Sequence, residues 1–183
     1  MSLLRRSFVG ALALVILLPA CRDGTQPLAL REGDQGIAAP SFTLGSGSKS
    51  TLLGRATFGD PTGEMFKVKR TTGDWQIDIK AKPVMDIAVQ SIVFQPGGQS
   101  GWHSHPGPVF IQVVSGTMTF YESDDPTCTP IVRTAGQGYV DLGEHAHIAR
   151  NETDAPAQNI VTYFAPPGAP LRIDQPSPGN CPF

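Results

Sequence analysis

GGQSGWHSHPGPV at residues 97–109 and GEHAHIARN at residues 143–151 bracket the stretch that decides the fold. These segments hold all four histidines of the protein, as two His-x-His pairs: His103 with His105, and His145 with His147. Alternate side chains of a β-strand point to one face, so both rings of a pair would face the same way. Two such pairs on neighbouring strands predict a metal site, whereas unrelated histidines would be solvated or hydrogen-bonded singly.

Around these pairs the chain has the pattern of short strands separated by turns. Trp75, Ile77 and Ile79 alternate with polar residues, and Ser115-Gly116 is a tight-turn signal between two apolar runs. That turn predicts a hairpin between residues 109–114 and 117–121. Further strands are predicted at residues 66–69, 86–94, 131–132, 138–140, 145–150 and 159–164. No stretch has a helical period of any length, so the sequence predicts an all-β sandwich or barrel.

The first histidine pair resembles the first motif of the cupin family. That motif reads Gly, five residues, His-x-His, three or four residues, Glu, six residues, Gly. Gly97, His103, His105 and Gly116 stand at its glycines and histidines, and Val109 stands at the Glu position. In the family that carboxylate is normally the fourth protein ligand of the metal.

The second histidine pair resembles the second cupin motif, which reads Gly, five residues, Pro-x-Gly, two residues, His, three residues, Asn. Gly136, His147 and Asn151 match it in register, while Leu142 and Glu144 stand at the Pro and Gly positions. Together the motifs imply that residues 55–175 form a cupin double-stranded β-helix, which is an all-β jelly-roll barrel.

The resemblance implies a metal site of three histidines, because Val109 cannot bind a metal. The expected ligands are His103, His105 and His147, with the remaining coordination positions open. His145 is either a fourth ligand or a residue that lies behind the ligands or at the mouth of the barrel. Three neutral imidazoles suit one divalent transition metal, such as Fe, Mn, Ni, Cu or Zn, better than Mg or Ca.

The first twenty residues have the layout of a signal peptide rather than of a folded domain. Arg5 and Arg6 precede an apolar run at residues 8–18, which is too short to span a bilayer comfortably. Leu18-Pro19-Ala20-Cys21 resembles a bacterial lipoprotein signal, in which Cys21 becomes the lipidated first residue of the mature chain. The alternative is an ordinary signal peptide with an incidental cysteine. Either way, we predict an exported protein of the bacterial cell envelope, in the periplasm or at the cell surface.

The mature chain would be mildly acidic. Residues 1–20 carry two arginines and no acids, which leaves 14 − 2 = 12 basic and 16 acidic residues, a net charge of −4. There is no basic block, so nucleic acid is not an expected partner. Residues 21–54 have the composition of a flexible tether, with Gly45-Ser46-Gly47-Ser48 at its centre. The alternative is a loop of the domain, with an edge strand near residues 42–44.

Cys128 and Cys181 remain once Cys21 is set aside. An even pair of cysteines in an exported protein is a candidate disulfide, which would tie the Pro-rich tail at residues 176–183 to the polar loop at residues 123–130. The alternative is two free thiols.

Two functions follow from these features. The first is a small-molecule enzyme of the dioxygenase type with a three-histidine metal centre, for which Tyr139 and Tyr163 are candidate acid/base residues of unknown orientation. The second is a non-catalytic cupin module that captures a small ligand or a metal at the cell surface. In both cases a small molecule is the expected partner, membrane contact is made through the lipid anchor alone, and a homodimer is possible because cupins are often dimers.

Overall fold

The structure, a computed structural model, describes residues 42–59, 62, 65–82 and 84–183. The predicted signal peptide, Cys21 and most of the predicted tether lie outside these residues, so those predictions stay predictions. No helix in the described part of the chain is long and apolar enough to cross a membrane.

Twelve strands make up the described fold, and they run antiparallel wherever they pair. Their bounds are β1 Ser46–Gly59, β2 Phe66–Thr72, β3 Trp75–Ala81, β4 Val84–Gln99, β5 His103–Ser104, β6 Val109–Ser115, β7 Thr117–Glu122, β8 Ile131–Thr134, β9 Gly138–Asp141, β10 His147–Arg150, β11 Ala157–Ala165 and β12 Ile173–Asp174.

Ten of these strands form one curled sheet with two halves of five strands each. The first half contains β1, β4, β11, β6 and β9, and the second contains β12, β5, β10, β7 and β8. Strand β4 links the two halves, because its body pairs with β1 and β11 while Gln99 at its end pairs with Arg150 of β10. This arrangement confirms the predicted all-β jelly roll.

The main core lies between the two halves. Phe94, Val113 and Val161 from the first half meet Met118 and Phe120 from the second, and each of these side chains is buried. Strand β11 alternates regularly between buried and partly exposed residues. One face of each strand therefore points into the barrel, as the period-two pattern predicted.

The predicted hairpin between residues 109–114 and 117–121 is wrong. Strand β6 pairs with β11 and β9, whereas β7 pairs with β10 and β8, so the two strands lie in different halves. Gly116 makes the corner between them with a φ of 73°. A Cβ at Gly116 would lie 2.8 Å from the Cα of Ala157, so the corner is packed tightly against the start of β11.

The predicted tether ends earlier than residue 54. Strand β1 begins at Ser46 and pairs with β4 along its whole length, so residues 46–54 belong to the sheet. Asp86 of β4 anchors this strand, since its carboxylate accepts hydrogen bonds of 2.6 Å from both Arg55 and Thr57. The Gly and Ser content suggested a linker, but a strand at the edge of a sheet tolerates small polar residues when a long partner strand supplies the hydrogen bonds.

Strands β2 and β3 form a separate two-stranded sheet. Both were predicted as strands, yet they do not join the barrel sheet. Trp75 at the start of β3 is 57% exposed, in contrast to the buried aromatic residues of the barrel.

The predicted disulfide between Cys128 and Cys181 is present in the structure. It joins the tail to the loop after β7, and Cys181 packs in a second buried cluster with Trp102, Tyr121 and Ile148. The chain between β11 and this disulfide contributes β12, which pairs with β5.

Candidate metal centre

Two short strands bring the histidine pairs together. His103 lies in β5 directly opposite His147 of β10, and His105 follows two residues after His103. The next strand along, β12, pairs Asp174 with His103 and Ile173 with Ser104. The three imidazoles therefore project from adjacent positions of one sheet into the barrel.

His103, His105 and His147 form a compact buried cluster. Their candidate ligand nitrogens all lie within 4.8 Å of one another. The Nε2 atom of His147 is 3.1 Å from the Nε2 of His103 and 3.4 Å from the Nε2 of His105. All three residues are less than one-tenth exposed.

Hydrogen bonds fix which nitrogen of His103 and His105 faces the centre. The Nδ1 of His103 lies 2.8 Å from the carbonyl oxygen of Gly101, and the Nδ1 of His105 lies 2.6 Å from that of Leu171. A carbonyl oxygen can only accept, so both Nδ1 atoms donate a proton. In a neutral ring the Nε2 atom then carries a bare lone pair, which is the form that binds a metal.

The donor set fits a transition metal. Lone pairs that face each other at these distances in a buried site repel unless a cation lies between them. Two nitrogens each about 2.1 Å from one ion, at angles of about 90° to 110°, would be about 3.0 to 3.4 Å apart, and the Nε2 of His147 lies at such distances from the Nε2 atoms of His103 and His105.

Burial keeps the three rings neutral. It lowers the pKa of His103 to about 3, with the neighbouring His105 adding to the effect. Burial also lowers the pKa of His105 and holds that of His147 well below the usual range. Neutral imidazoles are therefore available to a metal without a preceding loss of protons.

Asp141 at the end of β9 is a buried carboxylate that the sequence analysis missed. Its Oδ2 lies 3.2 Å from the Nδ1 of His147 and 3.6 Å from the Nε2 of His105. Oδ1 accepts a hydrogen bond from the backbone N–H of Gly143, while Oδ2 is buried without a hydrogen-bond partner. Burial raises the pKa of this carboxyl.

The position of Asp141 in the sheet explains why the sequence motifs did not indicate it. It lies directly across the ladder from Val109, which stands where the cupin motif has its carboxylate. Val109 is buried in the core. The carboxylate nearest the histidines therefore comes from the opposite strand, and the sequence carries no signal for this because the pairing is known only once the strands are in register.

Tyr139 lies on the far side of His147. Its hydroxyl donates a hydrogen bond to the Glu122 carboxylate and is 3.5 Å from the Nδ1 of His147. Burial and the nearby Glu122 raise the pKa of Tyr139 well above its usual value, so the phenol stays protonated. Burial also raises the pKa of Glu122.

A cavity of about 270 Å³ opens onto the cluster from the other side. His103 and His105 form part of its wall, and Tyr163 lies beside His105 with ring centroids 5.5 Å apart. Burial raises the pKa of Tyr163 to about 12. Its hydroxyl donates to Gln90, which also faces the cavity.

His145 does not join the cluster, although its sequence spacing made it a candidate fourth ligand. Its side chain is about half exposed and lies 3.6 Å from the carboxylate of Asp124. Strand β10 begins only at His147, after a bend at Gly143 with a φ of 82°, so the alternation of a strand does not extend back to His145. Glu144 is exposed in the same bend.

Residues 90–163 match the Cupin domain family. The matched segment contains the three clustered histidines, Asp141 and strands β5 to β10. This match supports a relationship of the chain to the cupin superfamily. Together with the histidine cluster, it supports a metal-binding cupin. No curated protein matches the chain.

Several solved structures are similar to this chain at low sequence identity. A cupin-like protein from Thermotoga maritima is 22% identical, with a TM-score of 0.44, and the match covers 50% of this chain and 65% of that one. The Cupin_2 domain of an XRE family transcriptional regulator from Enterobacter cloacae is 17% identical, with a TM-score of 0.41 and coverage of 67% and 99%. Bacillus subtilis oxalate decarboxylase, described with Mn(II) centres, is 18% identical with a TM-score of 0.43, and the match covers 48% of this chain and 23% of that one.

Proposed function

We propose that this protein, whose residues 90–163 match the cupin domain, binds one divalent transition metal through the Nε2 atoms of His103, His105 and His147. The observation that carries the proposal is the convergence of the three nitrogens in a buried site. Backbone carbonyl groups already hold the Nδ1 protons of His103 and His105. The remaining ring, His147, has the Oδ2 of Asp141 as the nearest acceptor for its Nδ1 proton.

We further propose that the metal serves an oxygenase-type enzyme acting on a small molecule in the adjacent cavity. A bound transition metal supplies Lewis-acid or redox chemistry at an open coordination position. Two contacts support this: His103 and His105 line the cavity, while Tyr139 and Asp141 lie against His147. A small molecule in the cavity would therefore meet the metal while the ligand rings stay shielded from water.

A non-catalytic metal- or ligand-binding module is the second candidate. One observation favours it. Besides the histidines, Tyr163 is the one candidate acid/base side chain among the described residues that line the cavity, and its pKa is raised to about 12. A phenol held in that state is a poor general base near neutral pH.

Export to the cell envelope is part of the same proposal. The disulfide between Cys128 and Cys181 is consistent with an oxidising compartment. Lipidation of Cys21 is tested separately, by the mass of the mature protein before and after Cys21→Ser.

The test of the metal centre compares two histidine variants of the full chain purified without chelator. We expect about one equivalent of a transition metal in the wild type by elemental analysis, none in His147→Ala, and an unchanged amount in His145→Ala. His145→Ala is the matched control because His145 is two residues away but exposed. Equal metal content in the wild type and in His147→Ala would contradict the proposal. Metal-dependent O₂ uptake in a small-molecule screen would then separate the enzyme from the binding module.

A further inference from the structure

The wall of the cavity beside the histidines is positively charged. Arg172 is the single cation among its lining residues, and the described lining contains no carboxylate. A divalent metal held by three neutral imidazoles would add its charge, less that of the Asp141 carboxylate beside the rings, to the charge of Arg172. The cavity therefore has the electrostatic character of a site for an anion.

Arg172 is held firmly in place by the same segment that positions the metal ligands. The preceding residue, Leu171, accepts the hydrogen bond from the Nδ1 of His105, and the following residue, Ile173, pairs with Ser104 in β5. The backbone of Arg172 is thus fixed on both sides. A guanidinium on a fixed backbone loses less conformational entropy when it binds a ligand than one on a mobile segment does.

The guanidinium of Arg172 makes only part of its possible hydrogen bonds within the described part of the protein. Its Nε donates to Asp174 at 2.6 Å, in an ion pair whose side chains are 34% and 44% exposed. Exposed pairs of this kind neutralise little charge and are weak. No hydrogen bond from the terminal Nη groups occurs within the described part of the chain, so these donors are free to meet a ligand in the cavity.

The rest of the lining limits the ligand to a small molecule with an apolar part. Ile92, Phe94 and Leu171 form an apolar wall, while Gln90 and Ser50 add polar groups. The volume of about 270 Å³ equals the share of roughly nine waters in the liquid. A ligand of that size would have one anionic group and a short apolar body.

We infer that the cavity binds a small organic carboxylate, with its anionic group on the Nη atoms of Arg172 and its apolar body against Ile92, Phe94 and Leu171. The planar fork of a guanidinium matches a carboxylate in a bidentate pair. A phosphate is a poorer match, because the cavity offers neither a second side-chain cation nor a helix N-terminus among its described lining residues. The inference rests on the proposed function in that it assigns a substrate class to the same site.

The test measures binding of matched acids and amides to the full chain by titration calorimetry. Butyrate and benzoate are compared with butyramide and benzamide, which have the same shape without the charge, and with inorganic phosphate. Each probe is titrated into the metal-loaded protein and into protein stripped with a chelator. We expect the carboxylates to bind more tightly than their amides, and more tightly in the loaded protein.

Variants at Arg172 then test whether its guanidinium accounts for the binding of the carboxylates. Arg172→Met should raise the Kd for butyrate about tenfold to a hundredfold, because it removes hydrogen bonds to a charged group, and should leave butyramide unchanged. Arg172→Lys keeps the charge without the fork and should fall between the two. Arg70→Met, on exposed β2 outside the cavity, is the control and should bind as the wild type does.

Several outcomes would overturn the inference: no carboxylate binds, acid and amide bind equally, phosphate binds in preference, or Arg172→Met has no effect. The metal content of each sample is measured in parallel. A wild type that takes up no metal would refute the proposed function, whereas Arg172-dependent binding of butyrate to that protein would still support the inference. A protein that holds metal but ignores carboxylates would refute the inference alone.

Discussion

Single residues around the histidines decide how well the site is prepared for a metal. Once the Nε2 of His147 binds an ion, its Nδ1 must carry a proton, and that proton needs an acceptor. The Oδ2 of Asp141 is 3.2 Å away and is buried without a hydrogen-bond donor. A small movement would satisfy both atoms, so Asp141 is a positioning residue for His147.

Replacing Asp141 by Asn tests this role. The change keeps the size of the side chain but removes its charge, and we expect metal affinity to fall about tenfold to a hundredfold. Competition with a fluorescent metal indicator measures the affinity. Asp124→Asn, which alters the exposed partner of His145, is the control and should bind metal normally. An affinity of Asp141→Asn within about twofold of the wild type would rule out this role.

The pH dependence of metal binding follows from the burial of the same rings. The pKa of His103 in the folded protein is lowered to about 3, and those of His105 and His147 are lowered as well. Protons compete with a metal at the ring of His103 only as the pH falls towards about 3, so the metal affinity of Asp141→Asn, which lacks the carboxyl with a raised pKa, should be nearly constant from pH 7.5 to 5.5. The same indicator titration repeated at each pH checks this. A tenfold loss by pH 5.5 would show that the rings titrate like exposed histidines, with a pKa of about 6.5.

The free energy of unfolding, unlike the metal affinity, should decrease as the pH falls below about 6.5. A histidine whose pKa is lowered in the folded state stays neutral there, while in the unfolded chain it gains a proton below about pH 6.5. Its contribution to stability is therefore present above that pH and is lost as the pH falls towards about 3 for His103.

At the scale of elements, the segment before β5 shows how the backbone orients His103, one of the proposed metal ligands. Gly101 has a φ of 71°, and its carbonyl accepts the hydrogen bond from the Nδ1 of His103. A Cβ at this position would overlap the carbonyl oxygen of Thr43 in the segment before β1. Gly97 has a similar φ of 72° but has open space around it.

These two glycines give a matched pair of variants. Gly97→Ala should lower the free energy of unfolding by about 1–2 kcal/mol, the cost of a left-handed conformation for a residue with a Cβ. Gly101→Ala adds a steric overlap and should cost about 1–3 kcal/mol more. Urea denaturation of the metal-free proteins measures both. Equal losses in the two variants would mean that the segment before β1 moves away without cost.

Periodicity predicted most of the strands but not their partners. The run that became β3 was visible because apolar residues alternate there, and the run that became β4 was visible because it is rich in Val and Ile. Ser115-Gly116 looked like a hairpin turn, since a tight turn has the same residues whether the flanking strands pair or diverge into different sheets. Likewise residues 46–54 looked like a linker, because their structure depends on β4, thirty or more residues away.

For the site, the sequence predicted the ligands and missed their surroundings. Spacing indicated the two histidine pairs, and the resemblance to the cupin motifs singled out His103, His105 and His147 from them. Asp141 became visible only through its register opposite Val109, and Arg172 only through the pairing of β12 with β5. Long-range pairings of this kind leave no local pattern of residues.

At the scale of the whole molecule, the disulfide closes a loop of 53 residues between Cys128 and Cys181. A crosslink of that span removes conformational entropy from the unfolded chain and should add about 4 kcal/mol to the free energy of unfolding. The double variant Cys128→Ser/Cys181→Ser should lose about that amount in urea denaturation. Reduced wild-type protein should show a similar loss. A loss below about 1 kcal/mol would contradict this entropic account of the crosslink.

The path of the chain after β11 has a consequence for how the protein matures. The strap between β11 and Cys181 supplies the carbonyl that orients His105, the guanidinium at the cavity wall and the strand beside His103. While Cys128 and Cys181 are still reduced, hydrogen bonds and packing alone hold this strap, so we expect the site to be less well formed. We therefore expect the oxidised protein to hold the proposed metal more tightly than the reduced protein does, so that the redox state of one sulfur pair would tune a centre to which it contributes no ligand.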